Sequence, residues 1–364
     1  MDGTRALSSL VMAALLLTGC TAGPDSGAGG TSYDPDRSIE VAADPDATVE
    51  DIVGAGRATR VASTGTGEVL VSFLVASDDD EGPQASAWRL YDDEGDRVAE
   101  GRGVRVSEQS ASPDAWSTSE GVLLRPDWTL PRFELVRADG EVVPVVNSRR
   151  PTPTRRGDVA IDQLRFFRPA DLATYRYAER RPDDRRALDI DLDDRGGVWA
   201  LVAWQGTSID VLHSADGAAP WTTTTFELPT PDGYPDRVRV VGGSVVVPVL
   251  GGRTGNEAVA LRHRPVGRTS GPWDRADLDD IDDPDFFGAS VEELPDGRVA
   301  LGDQRPWVGS LDDDSDDSGW RPLDLPDDAL FLGAVGELLL AATFTGTGLV
   351  VSRDAGATWT DWPR

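Results

Sequence analysis

The chain has 364 residues, 39% hydrophobic and 27% charged, enough apolar material for a sizeable core and too mixed for a disordered chain or a bundle of membrane spans. Its 64 acidic residues against 35 basic ones give a formal charge of -29, which the phosphate backbone of a nucleic acid would repel. Every basic residue is Arg, and Gly 39 with Pro 25 between many short apolar runs point to a turn-rich all-β chain.

At the N-terminus Arg5 precedes the apolar run LVMAALLL, the length of a signal-peptide core and too short to span a bilayer. Leu17-Thr18-Gly19-Cys20 follows, and Cys20 is the only cysteine. This tetrapeptide resembles the lipobox of bacterial lipoproteins. The resemblance implies a signal peptide over 1–19, cleavage before Cys20 and diacylglycerol transfer to its sulfur. The mature protein is then expected on the extracytoplasmic face of the cell membrane, bound to it through lipid. Residues 20–56 read as a tether, first TAGPDSGAGGTS and then the acidic DPDRSIEVAADPDATVED. About 36 residues of flexible chain reach roughly 33 Å.

From Arg57 onward one pattern recurs, a Gly followed by a β-branched or Leu-rich run. It begins at Gly67, Gly121, Gly157, Gly197, Gly243, Gly297 and Gly336, with spacings of 54, 36, 40, 46, 54 and 39 residues. Residues 57–364 thus divide into seven units of about 44 residues, the length of a four-stranded propeller blade. The last unit is clearest, with strands ALFLGAV, ELLLAATF, GLVVSRD and ATWTDW; the third, RRGDVAIDQLRFFRPADLATYRYAE, is the most irregular. The expected fold is an all-β propeller over 57–364 of seven blades, with six as the alternative. Ring closure is expected to bring the last blade against 57–63.

Ser352, Asp354, Gly356, Thr358 and Trp359 form Ser-x-Asp-x-Gly-x-Thr-Trp, which resembles the Asp-box of BNR-type propellers, the repeat of the sialidase-like and sortilin-like superfamily. A second copy keeps Ser214, Asp216, Gly217 and Trp221 around an insertion. In such a turn the carboxylate caps main-chain amides, Gly supplies a positive φ and Trp packs between sheets. The resemblance implies a structural role for these residues, away from any ligand.

The chemistry of a nucleophilic hydrolase is not assembled in the sequence. Cys20 is committed to lipid, G-x-S-x-G does not occur, and the only histidines, His213 and His263, read as rim residues. The likeness to sialidases raises one alternative, an exo-acting glycoside hydrolase of sialidase type. That family's Arg-Ile-Pro motif is missing, and Arg168-Pro169 falls too late to replace it. Asp189-x-Asp191-x-Asp193 has the opening spacing of a calcium loop, but Asp194 and Ala200 stand where Gly and Glu are needed. No metal or cofactor is expected, and LDIDLDD reads as a strand with one wet face.

Basic charge concentrates in the third unit, at Arg149, Arg150, Arg155, Arg156, Arg180 and Arg181, followed by Arg185 and Arg186. On so acidic a chain this sector is the candidate site for an acidic ligand, such as a carboxylated or phosphorylated cell-wall glycan. Pairing with Asp183, Asp184 and other acidic loops is the competing explanation. The expected role is a monomeric binding or scaffold module for an envelope protein or glycan.

Overall fold

The computed structural model describes residues 34–76, 83–103, 106–107, 114–126, 132–178, 187–202, 207–230, 232–251, 257–276, 278, 281, 290–302, 305–311, 319–343 and 348–362. Seven antiparallel or mixed sheets of four strands, two of them with one extra short strand, form the body. Their inner strands are Arg57–Ser63, Asp114–Thr118, Val159–Asp162, Ala187–Leu192, the pair Tyr234–Pro235 and Arg239–Val241, Val291–Glu293, and Ala329–Val335. Each inner strand touches the next around the ring, and the last touches the first. The fold is a seven-bladed β-propeller.

The second strand of a blade has a neighbouring blade on both faces, so its apolar residues run without alternation. Val198–Val202 is buried at every position, and Ser244–Gly251 at all but its first. The inner strand of blade 7 instead alternates buried and half-buried residues, with one face toward the channel. Gly242 and Gly243, both at positive φ (56° and 69°), close a two-residue hairpin between Val241 and Ser244.

The inner strands are stitched by side chains that accept from main-chain amides of the adjacent blade. Ser117 takes the amide of Ser63 at 2.9 Å, Asp189 that of Val238 at 3.0 Å and Asp191 that of Val240 at 2.8 Å. Glu293 takes Gly242 at 2.8 Å, and Glu292 takes Ala334 at 2.9 Å. These bonds satisfy strand-edge donors that would otherwise face the channel. The LDIDLDD strand therefore turns its acids to the next blade, where the sequence suggested a wet face.

Blade 3 departs from the expected order. Its outer strand, Val146–Thr152, precedes the other three and pairs in parallel with Ala173–Tyr177. Its inner strand also runs against its neighbours. Asp158 and Val159, at its start, share a cavity with Ser63, Ser117 and Leu192, which lie at the ends of theirs. The run after Gly157 is thus an inner strand, whereas the other six runs are second strands.

Residues 35–55, expected within the tether, form two helices. Helix α1 (Pro35–Ala43) is capped by Asp34, whose carboxylate accepts from the amides of Asp36 and Arg37 at 3.1 and 3.3 Å. Helix α2 (Val49–Ala55) starts with a capping box, in which Thr48 and Asp51 each take the other's amide. Ala42, Ala47, Ile52, Val53 and Ala55 are buried in one apolar cluster with blade 1 and blade 7 residues, including Phe73, Leu340 and Trp362. Ring closure involves no exchanged strand, because blades 1 and 7 are each built from one continuous stretch. The Tyr91 and Trp362 rings meet across the seam at 4.8 Å, Arg353 donates to the Asp93 carbonyl at 2.6 Å, and the helices cover the joint. Cys20 and residues 1–19, where a signal peptide is expected, lie outside the described residues.

Candidate functional site

The arginines of the third unit occupy two places. Arg149 and Arg150 are exposed on the outer strand of blade 3, while Arg155 and Arg156 are exposed on the link from that strand to the inner one. Arg156 lines a mouth cavity of about 510 Å³ with Ser63, Thr64, Ser117, Thr118 and Asp194. None of these four side chains forms an ion pair among the described residues. Arg180, Arg181, Arg185 and Arg186, like Asp183 and Asp184, lie outside them.

The link is pinned by Arg168, which the sequence raised only to set aside as a sialidase motif. Arg168 makes a two-pronged pair with Asp158, Nε to Oδ1 at 2.9 Å and Nη2 to Oδ2 at 2.7 Å, and Nη2 also donates to the Pro153 carbonyl at 2.7 Å. Both side chains are buried, at 6% and 2% exposure. The Arg168 guanidinium lies 5.4 Å from the Phe166 ring and 5.1 Å from that of Tyr175. Its role is to fix the chain from which Arg155 and Arg156 project. Thr154 completes the fixing, with its amide on the Asp216 carbonyl at 2.8 Å and its hydroxyl on the Gly196 carbonyl at 2.6 Å.

The central channel holds a second cavity of about 980 Å³, walled by inner strands of blades 1, 2, 5, 6 and 7. Arg57, Arg60, Arg237, Arg239, Trp116, Glu292 and Glu293 contribute its polar and aromatic lining. Much of this charge is balanced locally. Arg60 lies 3.4 Å from Asp114, Arg239 2.7 Å from Asp189 and Arg237 2.5 Å from Asp236. Burial pushes the Asp191 carboxyl up to about 6, against the opposing pull of Arg239 and of the Val240 amide. The four described tyrosines, Tyr91, Tyr175, Tyr177 and Tyr234, are not among the channel-lining residues.

The histidines are not rim residues. His213 meets buried Trp199 with ring centroids 4.2 Å apart and planes tilted by 37°, and burial holds its pKa below the usual value. His263 is 7% exposed in the third strand of blade 5. Asp193 caps its turn through the amides of Arg195 and Gly197 at 3.0 and 2.7 Å and accepts from the Trp199 indole at 3.3 Å. Asp189, Asp191 and Asp193 thus serve the protein's own chain.

In the final turn the Asp354 carboxylate accepts from the Thr358 amide at 2.8 Å and its hydroxyl at 2.6 Å, while Ser352 takes the Gly356 amide at 2.8 Å. These bonds lower the Asp354 pKa to about 2, the Thr358 hydroxyl contributing most. The Trp359 indole donates to the Asp324 carbonyl at 2.7 Å, in blade 6. In the blade 4 turn Asp216 accepts from the Ala218 amide at 3.0 Å, Gly217 has φ 72°, and Ser214 bonds the Ala218 carbonyl. Trp221 packs against the blade 4 core.

No protein-family profile and no curated protein matches this sequence. Solved structures similar in fold include the β-propeller domain of the Trilobed protease from Pyrococcus furiosus, at 9% identity and TM-score 0.47, covering 85% of this chain and 96% of that one. A lectin from Aleuria aurantia is similar at 12% identity and TM-score 0.35, covering 84% and 94%. Trypanosoma rangeli sialidase is similar at 9% and 0.37, covering 84% and 54%.

Proposed function

We propose that the protein is a lipid-anchored, extracytoplasmic binding module whose blade 3 engages an acidic envelope component, a carboxylated or phosphorylated glycan or an acidic protein surface. The observation that carries this reading is that Arg149, Arg150, Arg155 and Arg156 stand exposed without ion pairs among the described residues of a chain of charge -29. A guanidinium offers a planar fork of donors that matches a carboxylate or phosphate. Val146, 64% exposed on the same outer strand as Arg149 and Arg150, adds apolar contact beside the charges. The channel arginines also fit the alternative of a sialidase-type hydrolase, but that chemistry needs a tyrosine nucleophile with an acidic partner at the same place.

Anchoring rests on Cys20, and Cys20→Ala is expected to release the protein from the membrane fraction. The binding role is tested by replacing the four arginines with Ser and measuring retention on cell-envelope fragments. Retention should fall at least tenfold and the wild-type value should drop with added salt. Unchanged retention by the folded quadruple variant contradicts the reading. Turnover of a fluorogenic sialoside by the wild type would favour the hydrolase.

A further inference from the structure

The mouth cavity of about 510 Å³ lies where four blades meet, and its size falls within the range of small-ligand pockets, roughly 300–1,000 Å³. Three inner strands end there and that of blade 3 begins, so turns and the blade 3 link form the wall. Much of its polar lining is engaged within the protein. The Asp158 carboxylate is held by Arg168 at 2.7 Å and by the Arg155 amide at 2.8 Å, and that of Asp193 by the amides of Arg195 and Gly197. The buried Thr64 and Thr118 hydroxyls donate to Glu68 and to the Gly121 carbonyl. Two acids and two hydroxyls of the lining thus serve the fold.

The part of the lining that is open to solvent has a different character. Arg156 of blade 3, Asp194 of blade 4 and Ser117 and Ser119 of blade 2 are exposed, and Ser63 of blade 1 is half-buried. A cavity suited to a bare oxyanion would not carry Asp194, whose charge repels what Arg156 attracts. An acidic sugar satisfies both. Its carboxylate matches the planar donor fork of Arg156, and its ring hydroxyls can donate to Asp194. Serine hydroxyls both give and accept hydrogen bonds, as sugar hydroxyls do. Val159 and Leu192, half-buried in the same lining, offer apolar contact to the C–H face of the ring. A hollow of this size admits one compact unit and not the convex surface of an acidic protein.

We infer that the mouth cavity takes a single uronic-acid unit of a carboxylated glycan, with Arg156 on its carboxylate and Asp194 on its hydroxyls. The inference rests on the blade 3 reading above and narrows it to a sugar. Asp194 separates the two. For a surface that works by positive charge alone Asp194 hinders an acidic partner, whereas in a sugar site it helps to hold one.

The test is saturation-transfer NMR on the full chain with the methyl glycoside of glucuronic acid, and with methyl glucoside, lysine and inorganic phosphate as competitors. The uronate should bind, the three competitors should displace it poorly, and Arg156→Ser and Asp194→Ala should each weaken it by about tenfold or more. Both side chains are exposed, so neither change should disturb folding. Absence of uronate binding by the wild type, equal or tighter binding by Asp194→Ala, or displacement by lysine or phosphate as effective as by the uronate itself overturns the inference. Retention of Asp194→Ala on envelope fragments tells this failure from that of the broader reading. Retention should fall with the sugar site. If it rises while the quadruple arginine variant is still lost, the sugar site is wrong and the basic sector stands.

Discussion

The carboxylate of Asp191, on the inner strand of blade 4, accepts a 2.8 Å hydrogen bond from the main-chain nitrogen of Val240, on the inner strand of blade 5. Burial raises its pKa from the ordinary 3.8 to about 6. The folded protein therefore holds this proton more tightly than the unfolded chain. The resulting stability is fully present below pH 3.8 and is lost as the pH rises through about 6. Asp191→Asn keeps a carbonyl for Val240 and removes the charge. It should be more stable than the parent by about 2–3 kcal/mol above pH 7 and nearly indistinguishable from it near pH 4. Urea titrations at the two pH values measure this, and a difference independent of pH contradicts it.

The Arg168 and Asp158 pair sets the path of the link that carries Arg155 and Arg156. Removing one partner of a buried ion pair leaves an uncompensated charge, so Arg168→Met should cost about 3–5 kcal/mol. Replacing both, with Arg168→Met and Asp158→Leu, should cost clearly less than the sum of the single changes. A double-mutant cycle by chemical denaturation reads the coupling, and strict additivity would show that the pair does not act as a unit.

Helices α1 and α2 make the ring-closing seam a three-part joint of helix, blade 1 and blade 7. Ile52 is 0% exposed within it. Ile52→Ala should lower stability by about 2–4 kcal/mol, and hydrogen exchange should rise first in the strands Val69–Ala76 and Pro83–Tyr91 against which helix α2 packs. Protection unchanged at those strands would mean that the helices are not part of the closure.

The final turn gives the opposite pH dependence. Asp354 titrates near 2 when folded, below its ordinary 3.8, so its contribution is present above pH 3.8 and lost as the pH falls toward 2. Asp354→Asn should melt at a lower temperature than the parent at pH 7, with the gap closing by pH 2. Gly356→Ala should destabilise by about 1–2 kcal/mol, because φ is 93° and an added Cβ would lie 2.6 Å from Leu323 Cδ1.

Much of the ring could be read from the sequence because a strand covered on both faces leaves an unbroken apolar run. Leu338–Thr343 and Val198–Val202 are such strands, and each followed a turn glycine. Blade 3 was expected as a unit, but its strand order escaped because Val159–Asp162 is half-buried throughout and its outer strand, VNSRRPT, is polar and out of order. The helices escaped because their composition matches a linker, although Asp34-Pro35 and Thr48-x-x-Asp51 are helix-start signals. The alternation of Asp189 and Asp191 gave the strand but not its partner, since the acceptors meet main-chain amides about 50 positions away. The exposed arginines were visible as a charge anomaly. Arg168 was not, because nothing local distinguishes a buried arginine from an exposed one.

The most direct measurement of the proposed role is site-specific photocrosslinking of the full chain on intact cells, with the crosslinker placed in turn at positions 150, 156 and 321. Arg150 and Arg156 belong to the basic sector, whereas Arg321 is exposed on the outer strand of blade 6. The expected result is a common adduct from 150 and 156 that weakens at high salt, with none from 321. An adduct from 321 alone, or equal yields at all three positions, contradicts a binding surface on blade 3.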